Sequence, residues 1–274
     1  MASLSISRAW SETTAFVQRE AGLVLPIAFL LVALPGAAMQ YALPAPPQPA
    51  AVFDFETWMR DIRTVLVFAP VVAVLSLIGT IALSFLALRP GRTVGEALQV
   101  GGRRFIFLFL AWLLIALALM IAILPLVLLV GAGMAAGSGP SPGLVLLAPL
   151  IYVVLILAAS IRLILATPVC AAESAGPIAI LTRSWQLTRG HFWKLLGFVV
   201  LFWLAALVAI FAVSVMIGIV IAIAVGPPVP GSTGAFVVLL LTAVLQAIVT
   251  CLFTTMVSRI YAQLAGLGQD EIFA

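Results

Sequence analysis

Of the chain's 274 residues, 65% are apolar and only 8% charged, with a formal net charge of +4. A soluble domain of this length carries charge on about a quarter of its residues, so these few cannot coat a water-soluble globule. The 13 cations are scattered among short segments and make no nucleic-acid footprint.

The apolar residues fall in six runs, 21–39, 64–88, 105–133, 144–171, 195–225 and 235–258. At 1.5 Å per residue, each is long enough to cross roughly 30 Å of hydrocarbon. The expectation is an all-α integral membrane protein with six transmembrane helices in one membrane domain. Ten cations fall on one side of these spans: Arg8, Arg19, Arg89, Arg92, Arg103, Arg104, Arg183, Arg189, Lys194 and Arg259. The other side holds Arg60 and Arg63 among Asp54, Glu56 and Asp61. Cations concentrate in the cytoplasm, so both termini are expected there, in a bacterial inner membrane.

Residues 4–17, LSISRAWSETTAFV, place Ile6, Ala9, Trp10, Thr13, Phe16 and Val17 on one helical face, with Arg8, Ser11, Glu12 and Arg19 on another arc. This predicts an amphipathic helix lying in the headgroup layer. The first span is read as retained, because Glu12, Glu20 and the length of the apolar run do not suit a cleaved signal. The proline-rich loop 40–63 turns amphipathic around Phe53, Phe55, Trp58, Met59 and Ile62, predicting a second short surface helix or a partner surface. Span two carries Ser76, Thr80 and Ser84 at a spacing of four, and span six carries Thr242, Gln246, Thr250, Thr254 and Ser258 likewise. Such stripes make helix-packing hydrogen bonds or line a polar cavity. Pro26, Pro35, Pro70, Pro125 and Pro149 fall within spans one to four and predict kinks.

A shift of 175 residues lays Arg8, Trp10, Thr13, Arg19 and Gly22 on Arg183, Trp185, Thr188, Lys194 and Gly197. A weaker match at 87 pairs Val94, Gln99 and Phe105 with Leu181, Gln186 and Phe192. The chain therefore reads as three parallel units, about 4–88, 92–171 and 175–259, each an interfacial helix followed by a transmembrane hairpin.

The run from Arg162 to Phe198 carries Arg162, Pro168 and Glu173, then Arg183-Ser184-Trp185, Leu187-Thr188, Gly190 and Phe192-Trp193. It resembles the glycerophosphoryl diester phosphodiesterase membrane domain family. The ends SISRAWSETTAFVQRE and VSRIYAQL are similar to uncharacterised six-span bacterial inner-membrane proteins. The resemblance implies membrane architecture and a lipid-related setting. It does not transfer the phosphodiesterase activity, which in that family belongs to a separate metal-dependent barrel.

His191, the only histidine, has no sequence neighbour suited to orient it for acid–base work and reads as an interface anchor. Arg162 lies within span four, about 7 Å past its midplane by helical rise. A charge there pairs, snorkels or meets a ligand phosphate. Glu173 reaches Arg162 only if the chain bends, for which Pro168 is available; otherwise it meets Arg183 or Arg189. Cys170 and Cys251 suggest neither a disulfide nor a zinc site.

The candidates for lipid or ligand contact are Arg162, Glu173, Arg183, Trp185, Arg189, His191, Trp193, Lys194, Arg8 and Trp10. No catalytic residue, metal or cofactor is expected. The first reading is a non-enzymatic protein that organises membrane, contacts anionic lipid or supports a partner protein. The second is a transporter or channel for a lipid or small amphiphile, with a cavity near Arg162. An intramembrane enzyme using His191 and Glu173 is the third.

Overall fold

A computed structural model describes residues 5–42, 55–135, 142–224, 226 and 232–267. There is no strand among these residues, and six helices are long and apolar enough to cross a membrane. The protein is thus an all-α, six-span membrane protein.

Helix α1 (Ile6–Ala28) starts at Ser5, whose hydroxyl accepts from the Arg8 amide at 3.4 Å. The expected surface helix and first span form one element, bent at Glu20, where φ is −107° and ψ 16°. A π-helical turn, Phe29–Ala33, then leads into α2 (Leu34–Ala42). Pro35 has no N–H to offer the carbonyl four residues back. The wider turn, in which the Leu34 amide reaches Phe29, takes up that misfit.

Helix α3 (Phe55–Leu88) absorbs the short amphipathic helix expected near Phe55, so that segment is continuous with span two. Phe53 and the proline-rich part of the loop lie outside the described residues. After a turn at Gly91, where φ is +87°, α4 (Val94–Ala135) begins at a reciprocal cap. The Glu96 amide donates to the Thr93 hydroxyl, and the Thr93 amide donates to the Glu96 carboxylate, both at 3.3 Å. With 42 residues α4 is about 60 Å long, twice the hydrocarbon thickness. The middle surface helix is therefore not set off by a break as expected; it is the first part of one long rod.

Span four is interrupted. Helix α5 (Pro142–Leu163) ends, Ile164 and Leu165 turn, and α6 (Ala166–Ala172) resumes. Pro168 explains the position: it can neither donate to the Ile164 carbonyl nor sit comfortably against it. Helix α7 (Pro177–Thr188), with proline in its first turn, is followed by α8 (Phe192–Ala224) and α9 (Thr233–Ala265).

Burial concentrates at one end of the bundle. Every residue of α3 from Ile81 to Leu88 is buried, as is every residue of α9 from Thr254 to Ala262. A helix buried all round is surrounded by other helices; here these include α1, α4, α6 and α7. The far halves of α4, α5 and α8 turn Leu, Ile, Val and Phe outward, which lipid tails accommodate without penalty. The apolar face of α1 is covered by α9 as well: Ala9, Thr13 and Phe16 are buried, while Trp10 points out.

Candidate functional site

Breaking a helix inside a membrane frees backbone carbonyls that must find donors within the protein. The Arg162 carbonyl, near the end of α5, accepts a hydrogen bond from the Ser184 hydroxyl at 2.9 Å; the Thr188 hydroxyl lies 3.2 Å from it and shares its one hydrogen with the Ser184 and Trp185 carbonyls at 3.0 and 3.1 Å. Both hydroxyls lie on the inward face of α7, and both residues are fully buried. At the end of α6, Arg104 of α4 performs the equivalent service. Its Nη1 donates to the carbonyls of Cys170, Ala171 and Glu173 at 2.9, 3.1 and 3.0 Å, and its Nη2 to the Ser174 hydroxyl at 3.1 Å. A cation at a helix C-terminus also meets the negative end of the helix dipole.

Glu173 follows directly. Its Oε1 accepts from Arg183 Nε at 3.1 Å and from the Tyr261 hydroxyl at 2.8 Å. One carboxylate thereby joins the end of α6 to α7 and α9. Of the partners foreseen for Glu173, the structure selects Arg183; Arg162 is not among those bonded to it.

The Arg162 guanidinium is instead caged by aromatic rings, 5.1 Å from the centre of Trp185 and 5.4 Å from that of Phe192. Such stacking holds a cation without neutralising it. Among the described residues no carboxylate pairs with it, and its Nη1 is buried with no hydrogen-bond partner. Beside Phe192, His191 has a buried Nδ1 that is equally unpartnered. Around this pair the surface is amphipathic: Trp185, Arg189, Trp193 and Lys194 are exposed, Trp193 by 79%. At the N-terminal copy, Arg8 pairs with Glu12 at 2.8 Å, and Trp10 is exposed like its counterpart Trp185.

The polar stripes turn largely upon their own helices. Thr80 donates to the Ser76 carbonyl at 2.8 Å, Thr242 to Val238 at 2.9 Å, and Ser258 to Thr254 at 2.8 Å. Ser84 and Thr254 are buried, Thr250 is half-buried, and Gln246 faces outward. Three pockets lie among the described residues, and Arg162 lines none of these three. One, of about 200 Å³, is walled by Arg104, Phe107, Cys170, Glu173, Ser174, Ala175 and Gly176. A second, of about 280 Å³, is an apolar recess between the lipid-facing parts of α4 and α5. The third, of about 10 Å³, lies against Phe16. No three His, Cys, Asp or Glu side chains gather as a metal site among the described residues.

Sequence reading did not single out Arg104, Tyr261 or Ser174. The Arg103-Arg104 pair gave a signal, but as a topology marker only; nothing local connects Arg104 to carbonyls 66 residues away.

A family model described as a domain of unknown function (DUF7847) matches residues 4–264, and the chain belongs to that family. No curated protein and no solved structure matches it.

Proposed function

We propose that this member of the DUF7847 family is a non-enzymatic bacterial inner-membrane protein that holds anionic lipid headgroups at a cytoplasmic collar. The collar comprises α1, α7 and the first turn of α8, with both chain termini on that side. The observation that carries this reading is Arg162: a permanent cation over the rings of Trp185 and Phe192, with a buried Nη1 that no group among the described residues satisfies. Arg162 as a whole is half-buried, and a headgroup phosphate that reaches its accessible side supplies the counter-charge that no carboxylate among the described residues provides. The exposed Trp185, Arg189, Trp193 and Lys194 suit the headgroup layer around it. The cation bias of the short connections supports the orientation. The resemblance to the glycerophosphoryl diester phosphodiesterase membrane domain supports a lipid-related setting without an activity. Glu173, the acid an enzymatic reading needs, is committed to Arg183 and Tyr261. A transport cavity at Arg162 draws no support from the three pockets described, whose walls lie elsewhere.

The test is Arg162→Ala, with lipid retention read by native mass spectrometry after exchange into mixed phosphatidylglycerol and phosphatidylcholine. The structural bonds at this position go to the backbone carbonyl, which alanine also supplies, so the variant should fold. Near a membrane surface one basic residue contributes about 1 kcal/mol, and the expected loss of anionic preference is roughly fivefold. An unchanged preference in folded Arg162→Ala overturns the reading.

A further inference from the structure

The pocket of about 200 Å³ beside α6 has walls of unlike chemistry. Arg104 enters it from α4, Glu173, Ser174 and Ala175 from the connection after α6, and Gly176 from the N-cap of α7. Phe107, half exposed on α4, forms the remaining side. The site lies at the very end of span four, which closes at Ala172. Its volume suits a headgroup and falls short of the roughly 300 Å³ at which pockets for larger ligands begin.

Two opposite charges sit here with bonding capacity unused. A guanidinium carries five N–H donors. Arg104 directs Nη1 to three carbonyls and one Nη2 hydrogen to Ser174, which leaves its second Nη2 hydrogen and its Nε hydrogen without an acceptor among the described residues. Glu173 receives both of its hydrogen bonds at Oε1; among the described residues Oε2 receives none. Arg104 Nη1 meets the Glu173 backbone carbonyl at 3.0 Å, and both residues line the pocket. The start of α7 adds donors: Gly176 caps it without a side-chain bond, and its first internal bond is made by the Ile180 amide. The amides of Ile178 and Ala179 are therefore not used within the helix.

We infer that this pocket binds a phosphoethanolamine group, with Arg104 and the start of α7 facing the phosphate and the free oxygen of Glu173 facing the ammonium. A purely anionic headgroup offers Oε2 no donor and is repelled by the carboxylate. A trimethylammonium headgroup has the charge but no N–H to donate to Oε2. The site is separate from Arg162, so its selectivity is for a zwitterion, where that of Arg162 is for net negative charge.

The experiment exchanges the purified full chain into equimolar phosphatidylethanolamine, phosphatidylcholine and phosphatidylglycerol, and reads bound lipid by native mass spectrometry. A hydrogen bond to a charged group is lost with choline, and the expected preference for ethanolamine over choline is roughly tenfold. Glu173→Gln should abolish that preference. Because Glu173 also holds Arg183 and Tyr261, Ala175→Phe is the second variant; it fills the pocket and leaves those bonds in place. Displacement of the lipid by soluble phosphoethanolamine, and not by phosphocholine, supports the assignment and shows that the headgroup alone is held. Arg162→Ala should leave ethanolamine over choline unchanged, which keeps the two sites distinguishable. Equal retention of ethanolamine and choline lipids, or a preference that survives Ala175→Phe, overturns the inference.

Discussion

Gly101 and Gly102 adjoin in α4, yet their surroundings differ completely. A β-carbon at Gly101 would lie 2.7 Å from the Ile78 carbonyl oxygen of α3, whereas one at Gly102 would meet nothing within 4 Å. The sequence pair invites a search for a phosphate-binding loop, but its geometry is that of two helix backbones in close approach, which only a residue without a side chain permits. Gly101→Ala forces α3 and α4 apart, and overpacking of this kind costs about 1–3 kcal/mol. Thermal unfolding in detergent should therefore show a clear loss for Gly101→Ala and little change for Gly102→Ala. Equal effects at both positions would remove the close contact as the reason for the glycine. Gly79 belongs with Gly101: a β-carbon there would fall 2.9 Å from Leu31 and Val32 side-chain carbons, where α3 crosses the π-helical turn.

At the scale of elements, the interruption of span four organises the candidate site. Pro168 separates α5 from α6, and the carbonyls thus freed recruit Ser184, Thr188 and Arg104. Ser184 is the nearer donor to the Arg162 carbonyl, and Thr188, whose one hydrogen is divided between that carbonyl and two of its own helix, remains in reach of it when Ser184 is lost. Ser184→Ala and Thr188→Ala should each cost less than about 1 kcal/mol, while the double variant leaves a buried carbonyl bare and costs about 1–3 kcal/mol. A double-mutant cycle in thermal or denaturant unfolding reads this non-additivity, and strictly additive losses would count against the shared acceptor. Some of this was legible beforehand. Pro168 marked the bend, and Arg183 stood among the partners open to Glu173, because both inferences need only local spacing. The third contact, Tyr261, and the Arg104 clamp join residues 88 and 66 positions apart, which no periodicity encodes. The Thr93-Glu96 cap was readable as T-x-x-E but lies at a helix whose continuation into span three no local signal announces. The amphipathic face of α1 was legible too. What covers it was not, because an apolar face suits α9 as well as it suits lipid.

Across the whole molecule, the two surface helices related by the shift of 175 each bury the threonine that the shift aligns, Thr13 and Thr188. Helix α7 places Thr188 against the end of α5 at Arg162; α1 places Thr13, equally buried, in its seam with α9, where Arg259 stacks over Phe16 at 5.4 Å. Arg259 is only 6% exposed, and its Nε has no partner. Counted from the sequence as one more charge setting orientation, it is in fact folded into the bundle. This leaves the cation bias to the residues that remain exposed: Arg8, Arg19, Arg89, Arg92, Arg103, Arg189 and Lys194, all of which lie at the end where α1 and α7 gather. The proposed orientation therefore rests on seven exposed cations at that end. Cysteine labelling can examine it cleanly, because the native thiols Cys170 and Cys251 are both buried. Ser7→Cys and Thr182→Cys place exposed thiols at the collar, and Gly143→Cys places one at the start of α5, at the opposite end. In intact cells a membrane-impermeant maleimide should label Gly143→Cys, and should reach Ser7→Cys and Thr182→Cys only after permeabilisation. The reverse pattern would put the collar outside, and the proposed cytoplasmic headgroup contact would fall with it.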